Sequence, residues 1–145
     1  MAVTNYDPKR VNFILGGAIL SGFNEDTFLE VEEMNDGFTD AIGADGDIAR
    51  SRNSDGRHEI RATFLQGSKA NDILSTFYTA DRASEGGLLI PAMVQDMNGS
   101  SLFVAAQAWI VKRATLSYGK AAGSRLWTIR TGEPTVFIVG GASNS

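Results

Sequence analysis

A chain of 145 residues with 43% hydrophobic and 21% charged side chains has the size of one domain and enough apolar material for a core. It is too apolar for a disordered chain, it has no apolar run long enough to span a membrane, and it has no cysteine for a disulfide or thiolate metal site. The formal net charge of -4 also disfavours tight nucleic-acid binding, which depends on Lys and Arg neutralising phosphates.

Short strands are predicted in the first third of the chain. The apolar residues around Gly16-Gly17 indicate two short strands joined by a glycine turn. Residues 27–33 alternate, which predicts a strand with Leu29 and Val31 on one face and Glu30 and Glu32 on the other. Residues 57–65 alternate more regularly and predict a strand with one apolar face, made of His58, Ile60, Ala62 and Phe64.

Residues 35–56, between these two strands, are rich in Gly, Asp, Ser and Asn. They contain little apolar material beyond Phe38, Ile42 and Ile48, so the segment is predicted to be a long loop or an extended hairpin. Loops of this length are uncommon in compact domains and usually serve a function or become ordered on a partner.

An amphipathic helix is predicted over residues 69–83. Ala70, Ile73, Leu74 and Phe77 have the i, i+3, i+4, i+7 spacing of one helix face. Ser68 is a suitable N-cap because its oxygen can accept an unpaired backbone N–H of the first turn. The pair Gly86-Gly87 favours the end of the segment because glycine tolerates positive φ.

The remaining segments predict strands at 88–97, broken near Pro91, and at 102–113, 125–131 and 135–139. Asn98-Gly99 predicts a type I′ hairpin turn between the first two. The strand 102–113 is apolar on both faces, so we expect it to be covered on both sides, in part by another subunit. The fold class is therefore mainly β: an antiparallel sandwich or partly rolled barrel in one domain, residues 1–145, with one flanking helix and a long extended loop.

The chain offers little for catalysis or cofactor binding. Its one histidine, His58, lies on an apolar strand face without an evident partner, which favours a packing role. The acidic residues of the 35–56 segment do not match a calcium loop, and Gly119-Lys120 lacks the other parts of a phosphate-binding loop. We expect no enzymatic activity, no cofactor and no metal.

Five short motifs lie between the third predicted strand and the helix. They are Ile42-Gly43-Ala44-Asp45-Gly46, Arg50-Ser51, Asp55-Gly56-Arg57, Phe64-Leu65-Gln66-Gly67-Ser68 and Ala70-Asn71-Asp72-Ile73-Leu74. This pattern resembles one family, the tail-tube proteins of contractile-tailed bacteriophages, which are related to the tubes of type VI secretion systems and tail-like bacteriocins. The local pattern covers residues 31–74, and the order of elements extends the resemblance over roughly the whole chain.

The resemblance implies a structural subunit of a virion tail that is assembled in the host cytoplasm. Six copies would form a ring whose joined sheets make a continuous inner barrel, and stacked rings would form a hollow conduit for DNA. Its implied partners are further copies of itself and the sheath, baseplate and tail-terminator proteins. The tape-measure protein and DNA would pass through the lumen without specific binding, and no membrane is involved.

Two candidate sites follow from the resemblance. The segment 35–56 would contact the next ring, with three apolar anchors and four polar residues that set the register. These residues are Phe38, Ile42 and Ile48, and Asp45, Asp47, Arg50 and Arg52. Glu30 and Glu32 would face the lumen, where negative walls repel passing phosphates.

Three other classes of protein are compatible with parts of this pattern. A secretion-system tube shares the implied architecture. A carbohydrate- or protein-binding β-sandwich module would need exposed aromatic residues, whereas Trp109 and Trp127 lie in strand patterns that favour core burial. A small β-barrel enzyme would need a nucleophile and base pair, which the sequence does not indicate.

Overall fold

The computed structural model describes residues 6–24 and 28–140 of the chain. These residues form ten strands and one α-helix, with a short 3-10 helix at Pro8–Arg10. The strands are β1 (Val11–Leu15), β2 (Ala18–Leu20), β3 (Leu29–Glu33), β4 (Phe38–Ile42), β5 (Ile48–Arg52), β6 (His58–Leu65), β7 (Ile90–Asp96), β8 (Leu102–Lys112), β9 (Ser124–Thr131) and β10 (Val136–Ile138). The helix, α1, is Ala70–Ala83.

Eight strands form one antiparallel sheet in the order β2-β1-β7-β8-β9-β6-β3, with β10 paired to the first part of β8. The chain that leaves β2 returns to β6, where Phe23 bridges Phe64 and the Leu65 N–H donates to the Gly22 carbonyl at 2.8 Å. The sheet is therefore rolled on itself without closing into a barrel. This confirms the predicted mainly antiparallel β fold with one flanking helix.

The glycine turn predicted near the start of the chain joins β1 to β2. Gly16 and Gly17 have φ values of 60° and 84°, which residues with a Cβ atom rarely adopt. Two consecutive positive φ angles suit a two-residue hairpin turn, whose twist matches that of the flanking strands. The two short predicted strands are therefore confirmed.

The core lies on the concave side of the sheet. Strand β6 alternates as predicted, with buried side chains at His58, Ile60, Ala62 and Phe64. Leu29 and Val31 of β3 also pack against the core, although β3 begins two residues later than predicted and residue 27 lies outside the described residues. The other members of the buried cluster are Phe13, Leu15, Leu20, Ala70, Leu74, Ala92, Phe103, Ala105, Ala108, Ile110, Trp127 and Ile129.

Helix α1 covers part of this core through the predicted face. Ala70 and Leu74 are buried, and Ile73 and Phe77 pack against the cluster. Lys69 occupies the N-cap position, but the predicted Ser68 oxygen still accepts the Ala70 N–H at 3.1 Å. Within residues 6–24 and 28–140, no helix is long and apolar enough to cross a membrane.

Asn71 fixes the start of the helix to the sheet. Its side-chain nitrogen donates to the Leu65 carbonyl at 3.0 Å, and its oxygen accepts the indole N–H of Trp127 at 3.0 Å. Trp127 is 3% exposed, as expected for a core residue, and its buried N–H is satisfied by this hydrogen bond. The helix ends at Ala83, and Gly86 follows with φ 83°, in agreement with the predicted stop.

The predicted turn type between β7 and β8 is wrong, although the two strands are antiparallel neighbours as expected. The Gly99 N–H donates to the Asp96 carbonyl at 3.3 Å, which places Met97 and Asn98 at the centre of the turn. Asn98 does not have positive φ, so the turn is not type I′. Asn98 is instead buried at 7% exposure, and its side chain accepts the Asp7 N–H at 3.0 Å and donates to the Asp7 carbonyl at 2.9 Å. These long-range hydrogen bonds, which local turn propensity does not contain, determine the conformation.

Strand β8 is buried on one face and half-exposed on the other. Phe103 and Ile110 lie in the core, whereas Val104, Trp109 and Val111 are half-buried on the opposite face. Residues 6–24 and 28–140 therefore do not fully cover β8 on both sides, and the predicted core burial of Trp109 is incomplete. The predicted break near Pro91 is present as a register shift between Ile90 and Ala92 in the pairing of β7 with β8.

Candidate assembly surfaces

Strands β4 and β5 form a hairpin that stands apart from the main sheet. Within the described part of the chain they pair with each other, from Phe38 opposite Arg52 to Ile42 opposite Ile48. All ten residues of the two strands are exposed. Of the two predictions for segment 35–56, the extended hairpin is therefore confirmed.

The two faces of this hairpin differ in the size of their side chains. Residues directly opposite each other point to the same face, so one face carries the pairs Phe38/Arg52, Asp40/Arg50 and Ile42/Ile48. The other face carries small side chains, at Thr39, Ala41, Ala49 and Ser51. We call the first the large face; its Phe38, Ile42 and Ile48 are 52%, 75% and 72% exposed.

Charge is distributed unequally along the hairpin. At the tip, the Gly43 N–H donates to the Asp47 carbonyl at 2.7 Å, and the Asp47 N–H donates to the Asp45 carboxylate at 3.3 Å. The latter hydrogen bond lowers the pKa of Asp45, so its carboxylate stays charged at neutral pH. Nearer the base, the Arg50 guanidinium lies 4.3 Å from the centre of the Phe38 ring. The tip carries only acidic charges, whereas both arginines of the hairpin, Arg50 and Arg52, lie nearer the base together with Asp40.

The base of the hairpin is fixed by polar contacts. The Asn53 N–H donates to the Gly37 carbonyl at 2.8 Å, which holds the two ends together. Asp55 accepts from the Arg57 guanidinium at 2.8 Å and from the Asn35 side chain at 2.6 Å. The hydrogen bonds from Arg57 lower the pKa of Asp55, which keeps this exposed pair ionised. These contacts give a physical role to the Asp55-Gly56-Arg57 motif.

Glu30 and Glu32 lie side by side on the exposed face of β3, and both bind Arg61 of β6 at 3.0 Å. Arg61 also lies 3.2 Å from Glu59, which in turn lies 3.8 Å from Arg130. The hydrogen bonds that Arg61 donates to Glu30 and Glu32 raise the pKa of Arg61, the centre of the cluster. Three carboxylates and two guanidiniums leave this cluster with a formal charge of -1. It is weakly acidic, rather than the free acidic stripe that β3 alone indicates.

The structure thus brings the seven predicted inter-ring residues together on one hairpin, five on its large face and Asp45 and Asp47 at its tip. Their contact with a neighbouring subunit stays a prediction, as does the luminal position of Glu30 and Glu32. Sequence reasoning missed Arg61 as the partner of both glutamates. The signal for it was the opposite charge at alternate positions of two strands, which becomes informative once Glu30 is known to lie opposite Arg61.

The one histidine of the chain lies in the core and not in an open site. His58 is buried, its Nδ1 lies 2.8 Å from the Gly56 carbonyl, and its ring packs 5.3 Å from that of Phe137. These contacts agree with the predicted packing role. In the described residues, no group of three or more His, Asp or Glu side chains is arranged to hold a metal ion.

Comparison with known proteins relates this chain to phage components. No protein-family model matches it. Structural protein ORF10 of Pseudomonas phage KPP10 is 28% identical over 133 residues, which cover 87% of this chain and 77% of that protein. A chain in the cryo-EM structure of the anti-feeding prophage cap, described as a tube terminating cap, has a TM-score of 0.56 and 10% identity, with 93% of both chains covered. The first comparison relates the sequence to a phage structural protein, and the second shows a shared fold.

Proposed function

We propose that this protein is a structural, non-enzymatic subunit of the tail tube of a contractile-tailed phage. Copies assemble as rings, six to a ring, and the rings stack into a hollow conduit for DNA. The observation that carries this proposal is the β4–β5 hairpin, an ordered element whose three large apolar side chains, Phe38, Ile42 and Ile48, are exposed. The similarity to ORF10 supports a structural role in the virion.

A hairpin of this kind is a poor independent structure. Two-stranded hairpins are at best marginally stable in water, and this one exposes Phe38, Ile42 and Ile48 together on its large face. Transfer of apolar surface out of water contributes about 25 cal/mol per Å², so docking these three side chains on another subunit stabilises both the hairpin and the assembly.

Ring formation accounts for the sheet edges. The main sheet ends in β2 on one side and β3 on the other, and each edge leaves backbone groups available for pairing. Pairing these edges between neighbours gives closed rings, in which the half-exposed face of β8 lies along the continuous inner barrel. Glu30 and Glu32 then face the lumen with Arg61, and a wall of weak net negative charge lets DNA pass without adhering.

The partners and location follow from this role. The tube contacts the sheath, baseplate and tail-terminator proteins in the virion tail, after assembly in the host cytoplasm. The tape-measure protein and DNA pass through it without specific binding. Neither a cofactor nor a membrane is required.

A second candidate is a component that terminates a tube. The anti-feeding prophage cap, which shares the fold of this chain, is described as a tube terminating cap, and this supports the alternative. A secretion-system tube has the same architecture, and a β-sandwich binding module is the remaining alternative. A cap subunit is expected to form single rings, a tube subunit stacked rings, and a binding module monomers with a ligand.

The test is negative-stain electron microscopy and light scattering of the purified protein over a concentration series, with and without the hairpin. Because Gly37 and Asn53 are already hydrogen-bonded, a Gly-Gly link that replaces residues 38–52 removes the hairpin without moving its ends. Hollow tubes are expected for the intact protein, and rings or monomers for the deletion. The deletion of residues 43–54 is less suitable because it leaves β4 without its partner.

A deletion that still forms normal tubes contradicts the stacking role of the hairpin. The matched control shortens residues 115–122 of the exposed β8–β9 connection, which should leave tubes intact. A helical reconstruction then tests the luminal proposal directly: a map with Glu30 and Glu32 on the outer wall contradicts it.

A further inference from the structure

We infer that the hairpin tip of one copy inserts into an apolar cleft of a second copy. In each copy this cleft lies at the end of β3 and β6 that is opposite to the hairpin. This inference rests on the proposed stacking function and identifies the surface of the second copy that receives the hairpin tip. The cleft lies between the start of β1, β2 and the segment that follows β2, and it has a volume of about 690 Å³. Its lining includes Pro8, Lys9, Val11, Ile19, Phe23 and Phe28.

The wall of this cleft is apolar and well supported. The ring of Phe23 lies 4.8 Å from that of Phe28 and 4.9 Å from that of the buried Phe64. Ile19, which also lines the cleft, is 67% exposed. A rigid aromatic wall and an exposed branched side chain suit the two isoleucines at the hairpin tip, because docking buries apolar surface on both partners.

The cleft and the hairpin lie at opposite ends of the same two strands. Phe28 precedes β3, and its carbonyl accepts the Thr63 N–H at 2.9 Å near the end of β6. The hairpin follows Glu33, which pairs with His58 at the start of β6. Eight strand residues span about 25 Å. Each copy therefore presents a projection at one end and a recess at the other, the arrangement that extends head to tail without closing.

The charges of the two surfaces are complementary. Asp45 and Asp47 lie at the tip, between Ile42 and Ile48 in the sequence. Lys9 lines the cleft, and Arg10 follows Lys9 in the exposed 3-10 helix. Asp7, whose carboxylate accepts the Lys9 N–H at 3.0 Å, reduces this positive charge, so residues 7–10 have a formal charge of +1. Insertion of the isoleucines brings the acidic tip beside the basic rim, which fixes the orientation of the contact.

Disulfide trapping tests this contact directly, because the chain has no native cysteine. The variant Ile19→Cys/Ile42→Cys is assembled and oxidised, and a ladder of linked oligomers is expected on a non-reducing gel. The matched control is Leu116→Cys/Ile42→Cys, since Leu116 is 71% exposed, similar to Ile19, but lies outside the cleft. Both single-cysteine variants should give no ladder beyond dimers.

The outcomes separate this inference from the proposed function. Tubes that form without a specific Ile19–Ile42 ladder contradict the cleft as the receiving surface and leave stacking intact. The absence of any assembly by the wild-type protein contradicts the proposed function itself. If the cysteine pair does not assemble, charge reversal decides: Lys9→Glu and Asp47→Lys should each reduce tube formation at least tenfold, and their combination should restore it. Failure of the combination to improve on either single variant contradicts the inference.

Discussion

Strand β6 and the β4–β5 hairpin are built from similar local patterns but have opposite surroundings. In β6 the alternate residues Ile60 and Phe64 are fully buried members of the core cluster, and the strand itself pairs with β9 on one side and β3 on the other. In the hairpin the alternate residues Phe38 and Ile42 are exposed, and the two strands pair with no other strand of the described chain. Alternation thus predicts a strand with one apolar face, but it does not say whether that face is covered by the same chain.

The difference separates two contributions of apolar side chains. Those of β6 stabilise the folded subunit, whereas we propose that those of the hairpin stabilise an assembly. Matched substitutions in the two regions should therefore change different measurements.

The largest expected effect is that of Phe64→Ala. Removing a buried phenylalanine ring leaves a cavity in the core and should lower the free energy of unfolding by about 3–5 kcal/mol. Phe38→Ala, at 52% exposure, should change it by less than about 0.5 kcal/mol while reducing tube formation. Urea denaturation monitored by tryptophan fluorescence measures the first effect, and light scattering measures the second.

If Phe64→Ala does not fold, Phe64→Leu gives the same comparison with a smaller loss. A loss of stability for Phe38→Ala equal to that of the core variant would show that the hairpin belongs to the folding unit of the subunit.

The second comparison uses two glycines with positive φ, Gly22 at 80° and Gly46 at 88°. An alanine Cβ at Gly22 would lie 2.5 Å from the Ser68 oxygen, whereas the space around Gly46 is open. Gly22→Ala should lower the free energy of unfolding by about 2 kcal/mol through backbone strain and this clash. Gly46→Ala strains the hairpin tip and should leave global unfolding unchanged; thermal denaturation distinguishes them. Equal losses for the two variants would contradict this separation.

The smallest expected effect comes from the charged cluster. Arg61→Met leaves Glu30, Glu32 and Glu59 without their shared cation and should cost about 1 kcal/mol, since the arginine side chain is 28% exposed. The loss should shrink in 1 M salt, which screens the remaining repulsion. Arg50→Met, in the hairpin, should leave unfolding unchanged at both salt concentrations. Denaturation at two ionic strengths is the measurement, and a salt-independent loss for Arg61→Met would indicate a packing role.

Local pattern was sufficient for most elements because their side chains reach the core at regular spacing. The face of α1 and the alternation of β6 were predicted residue by residue, and the turn at Gly16-Gly17 was placed correctly. The type of the turn at Asn98 was predicted wrongly, because its geometry depends on Asp7, 91 residues away in the sequence. The pairing of Glu30 and Glu32 with Arg61 was missed for the same reason, since strand register sets it.

The candidate assembly surfaces divide in the same way. Sequence identified the hairpin residues as apolar and charged positions in a polar segment, but not that Phe38, Ile42 and Ile48 share one exposed face. The cleft at the other end of β3 was not predicted at all, because its lining comes from parts of the chain that become neighbours when the sheet rolls.

By itself, the sequence determined that this protein has a mainly β fold, an amphipathic helix and an unusual polar segment, since periodicity and turn residues are local properties. Tertiary structure decided which apolar faces the chain covers and which it leaves exposed. It also placed the hairpin and the cleft at opposite ends of the same strands. The physical reason is that burial and charge pairing depend on contacts between residues far apart in the sequence, and these contacts exist only once the sheet has its order, register and curvature.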